Sequence, residues 1–330
     1  MEREKIKISS EFAPDFDLIL HHGDCMELLQ QLPDGLVKLI VTSPPYNLGK
    51  EYENKLSVED YVSQQRRIIE ECIRVLHPQG SICWQVGNFV ENGVGSKAAA
   101  IIPLDVILYP IFMENGLKMR NRIVWRFGHG LHASRRFSGR YEVIIWFTRG
   151  DEYTFDLDAV RVPQKYPQKK HFKGPNKGKL SGNPLGKNPS DVWDIPNVKA
   201  NHVEKTEHPC QYPVELIERL VLSMTVEGDW VLDPFIGTGT TAIAALMHGR
   251  KAIGAEIIEK YVQISRDRVR LALQGKLRIR PMQRPVYDPQ APQSNLPPKT
   301  IDLGEEYSQP TLFESRDDYK SNNSRSVTIP

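Results

Sequence analysis

The chain has 330 residues, of which 40% are apolar and 25% charged, and its formal net charge is +2. This composition is typical of a globular protein, and the length suggests two domains or one large α/β domain with insertions. There is no apolar run of about 18 residues, no apolar secretory signal at the start, and the four cysteines are scattered. We therefore expect a cytoplasmic protein without a membrane span, a disulfide framework or a metal site.

Strand and helix patterns alternate along the chain. Apolar strands are predicted over 17–21, 37–41 and 81–86, and helices over 25–32, 58–76 and 101–114. Two β-rich runs at 118–127 and 141–148 predict an antiparallel hairpin. After a stretch with little periodicity, helices are predicted over 213–225, 240–248 and 259–273, and strands over 230–232 and 251–255. This alternation predicts a mostly parallel sheet with helices on both faces.

Basic residues are concentrated in two segments. Residues 115–140 contain seven Lys or Arg and no acid, and residues 161–190 contain eight and no acid. Either segment alone could be a solvated loop. Two of them in a nearly neutral chain indicate a polyanionic partner such as nucleic acid.

A glycine-rich turn follows the strand at 230–232. Residues 233–242 read Asp-Pro-Phe-Ile-Gly-Thr-Gly-Thr-Thr-Ala, and such glycines let the backbone approach a ligand at a helix N-terminus. With Glu256 at the end of the next strand, the pattern also matches a dinucleotide fingerprint, so a nicotinamide-dependent oxidoreductase is an alternative. Asp233 argues against it, because a carboxylate would repel a pyrophosphate. S-adenosylmethionine has no phosphate, and Asp233 and Glu256 would suit its ammonium and its ribose.

A second loop, Ser43-Pro44-Pro45-Tyr46, follows the strand at 37–41. The two prolines make it rigid and fix the direction of its carbonyls. Ser43 and the Pro44 carbonyl can accept hydrogen bonds from an exocyclic amine, which turns the nitrogen lone pair toward an incoming methyl group. Tyr46 can stack on the face of a base.

The two loops in this order resemble the amino-methyltransferases of DNA, and within them the permuted β class, in which the catalytic loop precedes the cofactor loop. The resemblance covers residues 17–273 and is greatest to the N4-cytosine-specific enzymes of restriction–modification systems. It implies a circularly permuted, Rossmann-like fold with a mostly parallel seven-stranded sheet, an antiparallel edge hairpin and an inserted target-recognition region. The expected segments are a catalytic half (1–150), the target-recognition region (151–205), a cofactor-binding half (206–275) and a proline-rich, disordered tail (276–330).

These arguments assign site residues. The catalytic residues are Ser43, Pro44, Pro45 and Tyr46. The cofactor-binding residues are Asp24, Thr206, His208, Gln211, Asp233, Pro234, Phe235, Gly237, Thr238, Gly239, Thr240 and Glu256. The DNA-binding residues are Arg135, Arg136, Lys169, Lys170, Lys173 and Lys177. Asp24 is also expected to cap a helix. Cys210 lies in a Pro-Cys-Gln sequence like that of C5-cytosine enzymes, but nitrogen methylation needs no covalent intermediate, so we expect its thiol to be incidental.

The expected activity is methyl transfer from S-adenosyl-L-methionine to the N4 amine of a flipped cytosine in double-stranded DNA. In the family, serine at the first loop position accompanies cytosine and aspartate accompanies adenine, so N6-adenine methylation is the nearest alternative. An inactive DNA-binding protein with the same fold is a more distant one. The resemblance adds a cognate restriction endonuclease as a candidate partner, a bacterial or archaeal cytoplasm as the location, and a monomer or a homodimer as the assembly.

Overall fold

The computed structural model describes residues 6–47, 56–91, 100–128, 133–134 and 136–286. All of them belong to one unit, Met1–Val286. The strands in chain order are β1 (Ile8–Ser9), β2 (Leu18–His22), β3 (Val37–Thr42), β4 (Leu76–Val86), β5 (Asn88–Glu91), β6 (Ala100–Pro103), β7 (Lys118–Arg126), β8 (Tyr141–Thr148), β9 (Val192–Asp194), β10 (Trp230–Asp233) and β11 (Lys251–Glu256). The α-helices are α1 (Cys25–Leu29), α2 (Val58–Val75), α3 (Leu104–Glu114), α4 (Val214–Met224), α5 (Thr240–Met247) and α6 (Glu259–Leu273).

The main sheet has the order β1-β2-β11-β10-β3-β4-β8-β7-β9. The pairings are parallel from β1 to β4, and β8 is antiparallel to both β4 and β7. The predicted fold class is confirmed. The sheet nevertheless has nine strands instead of seven, because the short strands β1 and β9 extend its two ends. Since β9 pairs with β7, the hairpin of β7 and β8 is one strand removed from the edge.

Helices cover both faces of the sheet, and each face has its own apolar core. One core includes Leu28 of α1, Ile69 of α2 and Phe112 of α3. The other includes Leu220 of α4 and Ile243 of α5. The strands between them are buried on both sides, which explains their continuous apolar sequences. No described helix combines the length and apolarity needed to span a membrane.

The order of strands in the sheet differs from their order in the chain. The neighbours β10 and β11 come from the end of the described chain, and β2, from its beginning, pairs with β11. The N-terminal strand β2 is therefore third after the two C-terminal strands, as a circularly permuted fold requires. This arrangement places the turns after β2, β3, β10 and β11 at one edge of the sheet.

Four boundaries differ from the sequence predictions by three residues or more. Helix α1 ends at Leu29 instead of residue 32. Strand β4 begins at Leu76 instead of residue 81, because the chain through Pro78 and Gly80 continues in extended form. Residues 100–103 form β6 and not the start of α3, which begins only after Pro103. The predicted tail begins too early, because Arg280 is 7% exposed and packs against α4. The rest of that tail, residues 287–330, lies outside the described residues.

Candidate active site

A cavity of about 350 Å³ opens at the carboxyl ends of the parallel strands, where open α/β sheets bind ligands. The predicted residues that line it are Asp24, Ser43, Pro44, Pro45, Tyr46, His208, Gln211, Pro234, Phe235, Gly237, Thr238, Thr240 and Glu256. The structure therefore brings the serine loop and the glycine loop to one cavity although almost 190 residues separate them in sequence. Thr206, Asp233 and Gly239 are not among the lining residues.

The glycine loop owes its course to two residues with left-handed backbone. Gly237 has φ of 52° and Gly239 has φ of 79°, a region that disfavours other residue types. A Cβ on Gly239 would also overlap the Ser265 hydroxyl of α6. Gly239 therefore provides close packing of the turn on α6, whereas Gly237 faces the cavity. Helix α5 begins at Thr240, whose side chain is 3% exposed and lines the cavity.

The sequence predicts that Asp233 binds the ammonium of the cofactor, and the structure contradicts that role. Its carboxylate is fully buried and accepts hydrogen bonds from Thr42 Oγ1 (2.5 Å), Tyr212 OH (2.5 Å), Thr241 Oγ1 (2.6 Å) and the Phe235 amide (3.1 Å). Burial raises the pKa of Asp233, and these hydrogen bonds oppose the rise. With four donors in place, Asp233 holds the two loops together and has no free lone pair for a ligand.

The other acids of the predicted site do reach the cavity. Glu256 ends β11, and its Oε1 accepts a hydrogen bond of 2.8 Å from the Ile258 amide. Burial raises the pKa of Glu256. Asp24 is exposed, accepts a hydrogen bond of 2.7 Å from the Met26 amide and so caps α1. Both predicted aspects of Asp24, the helix cap and the cavity wall, are present in the structure.

A further part of the cavity wall, beside the glycine loop, comes from His208, Cys210, Gln211 and Tyr212. The ring of His208 lies over Tyr261, with centroids 4.5 Å apart, and its Nδ1 accepts a hydrogen bond of 3.1 Å from the Cys210 amide. The side chain of Gln211 is used within the loop: its Nε2 donates to the Glu204 carbonyl (2.8 Å) and its Oε1 accepts from Thr206 Oγ1 (2.8 Å). Thr206 therefore supports Gln211 from behind the cavity wall instead of lining it.

The serine loop is held from behind by a polar cluster that the sequence did not reveal. Ser43 Oγ and Tyr46 OH are 3.0 Å apart, and Gln85 Nε2 donates to Tyr46 OH at 2.7 Å. Tyr46 OH also lies 3.3 Å from Glu142 Oε2. Gln85 and Glu142 come from β4 and β8, and their only sequence signal is a polar residue beside the apolar part of each strand.

Asn47, directly after the serine loop, is a further residue that the sequence motifs do not identify. Its backbone has φ of 60°, and its side chain exchanges two hydrogen bonds with the backbone of Leu56, of 2.8 Å and 2.6 Å. These bonds tie Asn47, at the end of the serine loop, to Leu56 just before α2. The sequence offers one signal for this role, which is the residue type, since asparagine tolerates the left-handed conformation.

The two basic segments differ in how their charges are used. In 115–140, four of the seven cations pair with acids from other parts of the chain: Lys118 and Arg120 with Asp151, Arg122 with Asp105, and Arg126 with Asp194. In 161–190, Lys169, Lys170, Lys173 and Lys177 are exposed, and no described acid pairs with them. Arg136 is exposed, while Arg135 lies outside the described residues. The free basic charge is therefore concentrated in the second segment.

The cavity wall fits a ligand that carries positive charge. No Lys or Arg is found among the described residues that line it, whereas Asp24 and Glu256 contribute carboxylates. Two carboxylates with no Lys or Arg beside them would repel a pyrophosphate, and they suit a sulfonium, an ammonium and ribose hydroxyls. This chemistry fits S-adenosylmethionine and removes the support for the nicotinamide alternative.

Residues 37–267 match the sequence model of the DNA methylase family, N6_N4_Mtase. The chain belongs to this family. The match covers both loops and the segment between them, and it confirms the predicted S-adenosylmethionine-dependent methyltransferase. As a DNA methylase, the protein acts on DNA.

Individual relatives agree with this assignment. The chain is 54% identical over 258 residues to the type II methyltransferase M.BglII of Bacillus subtilis, covering 78% of this chain and 70% of the relative. It is 33% identical over 257 residues to the DNA adenine methyltransferase YhdJ of Escherichia coli, covering 76% and 82%.

Two solved structures are also similar. A putative DNA modification methylase of Thermus thermophilus, complexed with S-adenosyl-L-methionine, has a TM-score of 0.55 and 29% identity, covering 78% of this chain and 94% of its own. The cytosine-N4-specific PvuII DNA methyltransferase has a TM-score of 0.60 and 21% identity, covering 76% and 85%. At that identity, the PvuII enzyme supports the fold alone.

Proposed function

We propose that this DNA methylase transfers a methyl group to the N4 amine of cytosine in double-stranded DNA, with the target base flipped into the cavity. The observation that carries the proposal is the position of Ser43, a neutral hydroxyl at the cavity wall beside the rigid Pro44-Pro45 pair. A conjugated amine is a weak nucleophile, so it needs acceptors that orient its N–H bonds away from the approaching methyl group. Ser43 Oγ and the Pro44 carbonyl are suited to this task.

The chain's own residues hold the reactants. S-adenosyl-L-methionine supplies an electrophilic methyl group when bound. In this proposal Glu256 accepts hydrogen bonds from the ribose, Asp24 contacts the adenine end, and the glycine loop allows close approach at the N-terminus of α5. Tyr46 stacks on the flipped base, an interaction worth about 1–3 kcal/mol. The amine attacks the methyl group directly, so Cys210, which also lines the cavity, forms no covalent bond.

A second candidate is methylation of the N6 amine of adenine. It is favoured by the similarity to a relative named as a DNA adenine methyltransferase, at 33% identity. Ser43 Oγ and the Pro44 carbonyl could accept hydrogen bonds from the exocyclic amine of either base. The neutral serine at the first loop position favours cytosine, because the family's adenine enzymes usually carry aspartate there.

The proposed partners are double-stranded DNA and a restriction endonuclease that cleaves the same sequence. The exposed lysines of 161–190 would contact phosphates, with residues 151–205 carrying most of the target recognition. The endonuclease follows from similarity to a relative named as a type II methyltransferase. We place the enzyme in a bacterial or archaeal cytoplasm.

Methylome sequencing of a host that lacks its own DNA methylases and expresses this protein tests the proposal. N4-methylcytosine at one short sequence is the expected result, and the same host expressing Ser43→Ala is the control. N6-methyladenine at one short sequence would contradict cytosine as the target base and support the second candidate, adenine. Unmodified DNA in the presence of soluble wild-type protein would overturn it.

A further inference from the structure

A hydrogen-bonded chain leads from the cavity into the protein behind the serine loop. It begins at Ser43 Oγ, continues 3.0 Å away at Tyr46 OH, and ends 3.3 Å further at Glu142 Oε2. Ser43 and Tyr46 line the cavity, whereas Glu142 does not. The carboxylate therefore acts on a ligand only through the two hydroxyls.

Gln85 gives this chain a direction. Its side-chain nitrogen has two hydrogens and donates to both Tyr46 OH and Glu142 Oε2. An ionised Glu142 only accepts, and its Oε2 lies nearer to Tyr46 OH (3.3 Å) than the other acceptor, the Gln85 carbonyl (3.5 Å), so we take the hydroxyl hydrogen of Tyr46 to point to Glu142. The Tyr46 oxygen then accepts from Gln85 and Ser43, and the lone pairs of Ser43 Oγ face the cavity. The cluster thus makes Ser43 an acceptor on the side where the target amine would lie.

The packing around Glu142 is specific. Its neighbour Gly87 has no side chain, and a Cβ there would lie 3.1 Å from Tyr46 Cε2 and 3.5 Å from Glu142 Cγ. Gly87 thus leaves the space in which Tyr46 and Glu142 meet. Gln85 is 3% exposed, and its amide nitrogen is held in this cluster by its hydrogen bonds to Tyr46 and Glu142.

Burial and the nearby charges shift the pKa values of the two titratable groups in this hydrogen-bonded chain, Glu142 and Tyr46. Burial raises the pKa of Glu142, while the charge of Lys199 and hydrogen bonds from Tyr46 and Gln85 oppose the rise. Burial and the charge of Glu142 hold the pKa of Tyr46 well above its ordinary value, with smaller contributions from Tyr61 and Cys210. Tyr46 therefore stays protonated near neutral pH and can pass a proton only by receiving another.

We propose that Glu142 is a positioning residue that orients Ser43 as an acceptor and receives the proton released by the target amine. This inference rests on the proposed function. As the nitrogen–methyl bond forms and the sulfur–methyl bond breaks, the amine becomes positively charged. One N–H proton passes to Ser43 Oγ, the Ser43 proton passes to Tyr46, and the Tyr46 proton passes to Glu142. The hydroxyls are restored, the methylated amine is neutral, and the carboxylic acid of Glu142 later loses its proton to water.

Single-turnover methylation of DNA by the wild type, Glu142→Gln and Tyr46→Phe across a range of pH tests the relay. In the wild type, we expect the rate to fall as the pH decreases through the raised pKa of Glu142, because the protonated acid cannot accept. In Glu142→Gln, the rate should be about 10²-fold lower and nearly independent of pH on the acid side. Tyr46→Phe keeps the ring but interrupts the hydrogen-bonded chain. Its rate should therefore also stop falling as the pH decreases.

Glu218→Gln is the matched control, because it makes the same substitution at a glutamate outside the hydrogen-bonded chain. Glu218 lies in α4 and contacts His248. It should keep the wild-type rate and pH profile. S-adenosylmethionine binding by calorimetry verifies that each variant is folded. A folded Glu142→Gln with a rate within threefold of the wild type, or with an unchanged acid limb, would overturn the relay. A wild type that methylates no DNA would overturn the proposed function, and the relay with it.

Discussion

Asp233 and Glu256 end neighbouring parallel strands, but their surroundings give them different roles. Asp233 is fully buried and satisfied by four protein donors. Glu256 lines the cavity and accepts a hydrogen bond from the Ile258 amide in its own turn. A buried carboxylate of the first kind stabilises the arrangement of the loops, whereas one of the second kind can bind a ligand.

Alanine substitutions should separate these roles. Asp233→Ala leaves three buried hydroxyls without their acceptor, so we expect the free energy of unfolding to fall by about 3 kcal/mol. Glu256→Ala should change that free energy by less than about 1 kcal/mol while raising the Kd for S-adenosylmethionine about tenfold. Urea titration and calorimetry measure the two quantities. Unchanged stability in Asp233→Ala would contradict the account of its hydrogen bonds.

Ser43→Ala should reduce turnover more than it weakens binding. Loss of the acceptor that orients the amine and receives its proton costs about 3 kcal/mol, which is about a 160-fold decrease in kcat. Cys210→Ala, also at the cavity wall, should retain the wild-type kcat because the thiol takes no part. Steady-state kinetics with DNA and S-adenosylmethionine check both variants, and the reverse outcome would point to a covalent mechanism through Cys210.

At this scale, the sequence identified the loops but not the partners of each side chain. The two motifs predicted most of the cavity wall correctly. The role of Asp233 could not be predicted, because its partners Thr42, Tyr212 and Thr241 come from three separate segments. The same is true of Glu142, which reaches Tyr46 only because β4 and β8 pair.

Among the elements, the two basic segments illustrate how composition can mislead. The segment 115–140 is free of acids in sequence, yet Arg120 and Arg122 pair with Asp151 and Asp105 at 2.9 Å and 2.6 Å. The segment 161–190 keeps exposed lysines that no described acid neutralises. DNA affinity should therefore depend more on the second segment.

Replacement of Lys169, Lys170 and Lys173 by Gln tests this difference. Each phosphate contact that is lost should reduce the salt slope of log K by about 0.9, so the triple variant should lose up to about 2.7. Lys118→Gln is the control, because Lys118 already pairs with Asp151. Fluorescence anisotropy with labelled DNA at several salt concentrations gives the slopes. A triple variant with the wild-type slope would show that these lysines are only solvated.

The sequence did not predict that the segment after α6, around Arg280, packs against the rest of the protein. The Arg280 amide donates to Glu204 Oε1 at 3.0 Å, and its guanidinium pairs with Glu215, which is 2% exposed. Glu204 Oε2 also accepts from the Val214 amide at 2.9 Å. The segment therefore fixes the loop that carries His208 and Gln211. Its few apolar residues have no periodicity, so the sequence predicts a tail, whereas one ion pair and hydrogen bonds to Glu204 and Glu215 hold the segment in place.

Arg280→Met should leave Glu215 buried without its cation. We expect the free energy of unfolding to fall by about 3–5 kcal/mol and the Kd for S-adenosylmethionine to rise. The double variant Arg280→Met, Glu215→Gln removes both charges and should recover most of the lost stability. Urea titration of the four proteins in this cycle provides the coupling energy. A coupling energy near zero would mean that the pair does not hold the segment.

At the scale of the whole molecule, the permuted order of the loops determines the architecture. Alternation of strands and helices predicted the mostly parallel sheet, and the adjacency of β10, β11 and β2 followed from the order of the motifs. The short edge strands β1 and β9 could not be predicted, since two or three residues carry no periodic signal. The serine loop and the glycine loop therefore line the same cavity, whose carboxylates suit a cationic cofactor.

The central claim, methylation of the cytosine N4 amine, is tested most directly by analysing the product. DNA methylated by the purified enzyme with S-adenosyl-L-methionine is hydrolysed to nucleosides, and the modified nucleoside is identified by mass spectrometry against synthetic standards. The account predicts N4-methyl-2′-deoxycytidine, formed at an initial rate that falls with kcat when Ser43→Ala replaces the wild type. N6-methyladenine without N4-methylcytosine would contradict the assignment from Ser43.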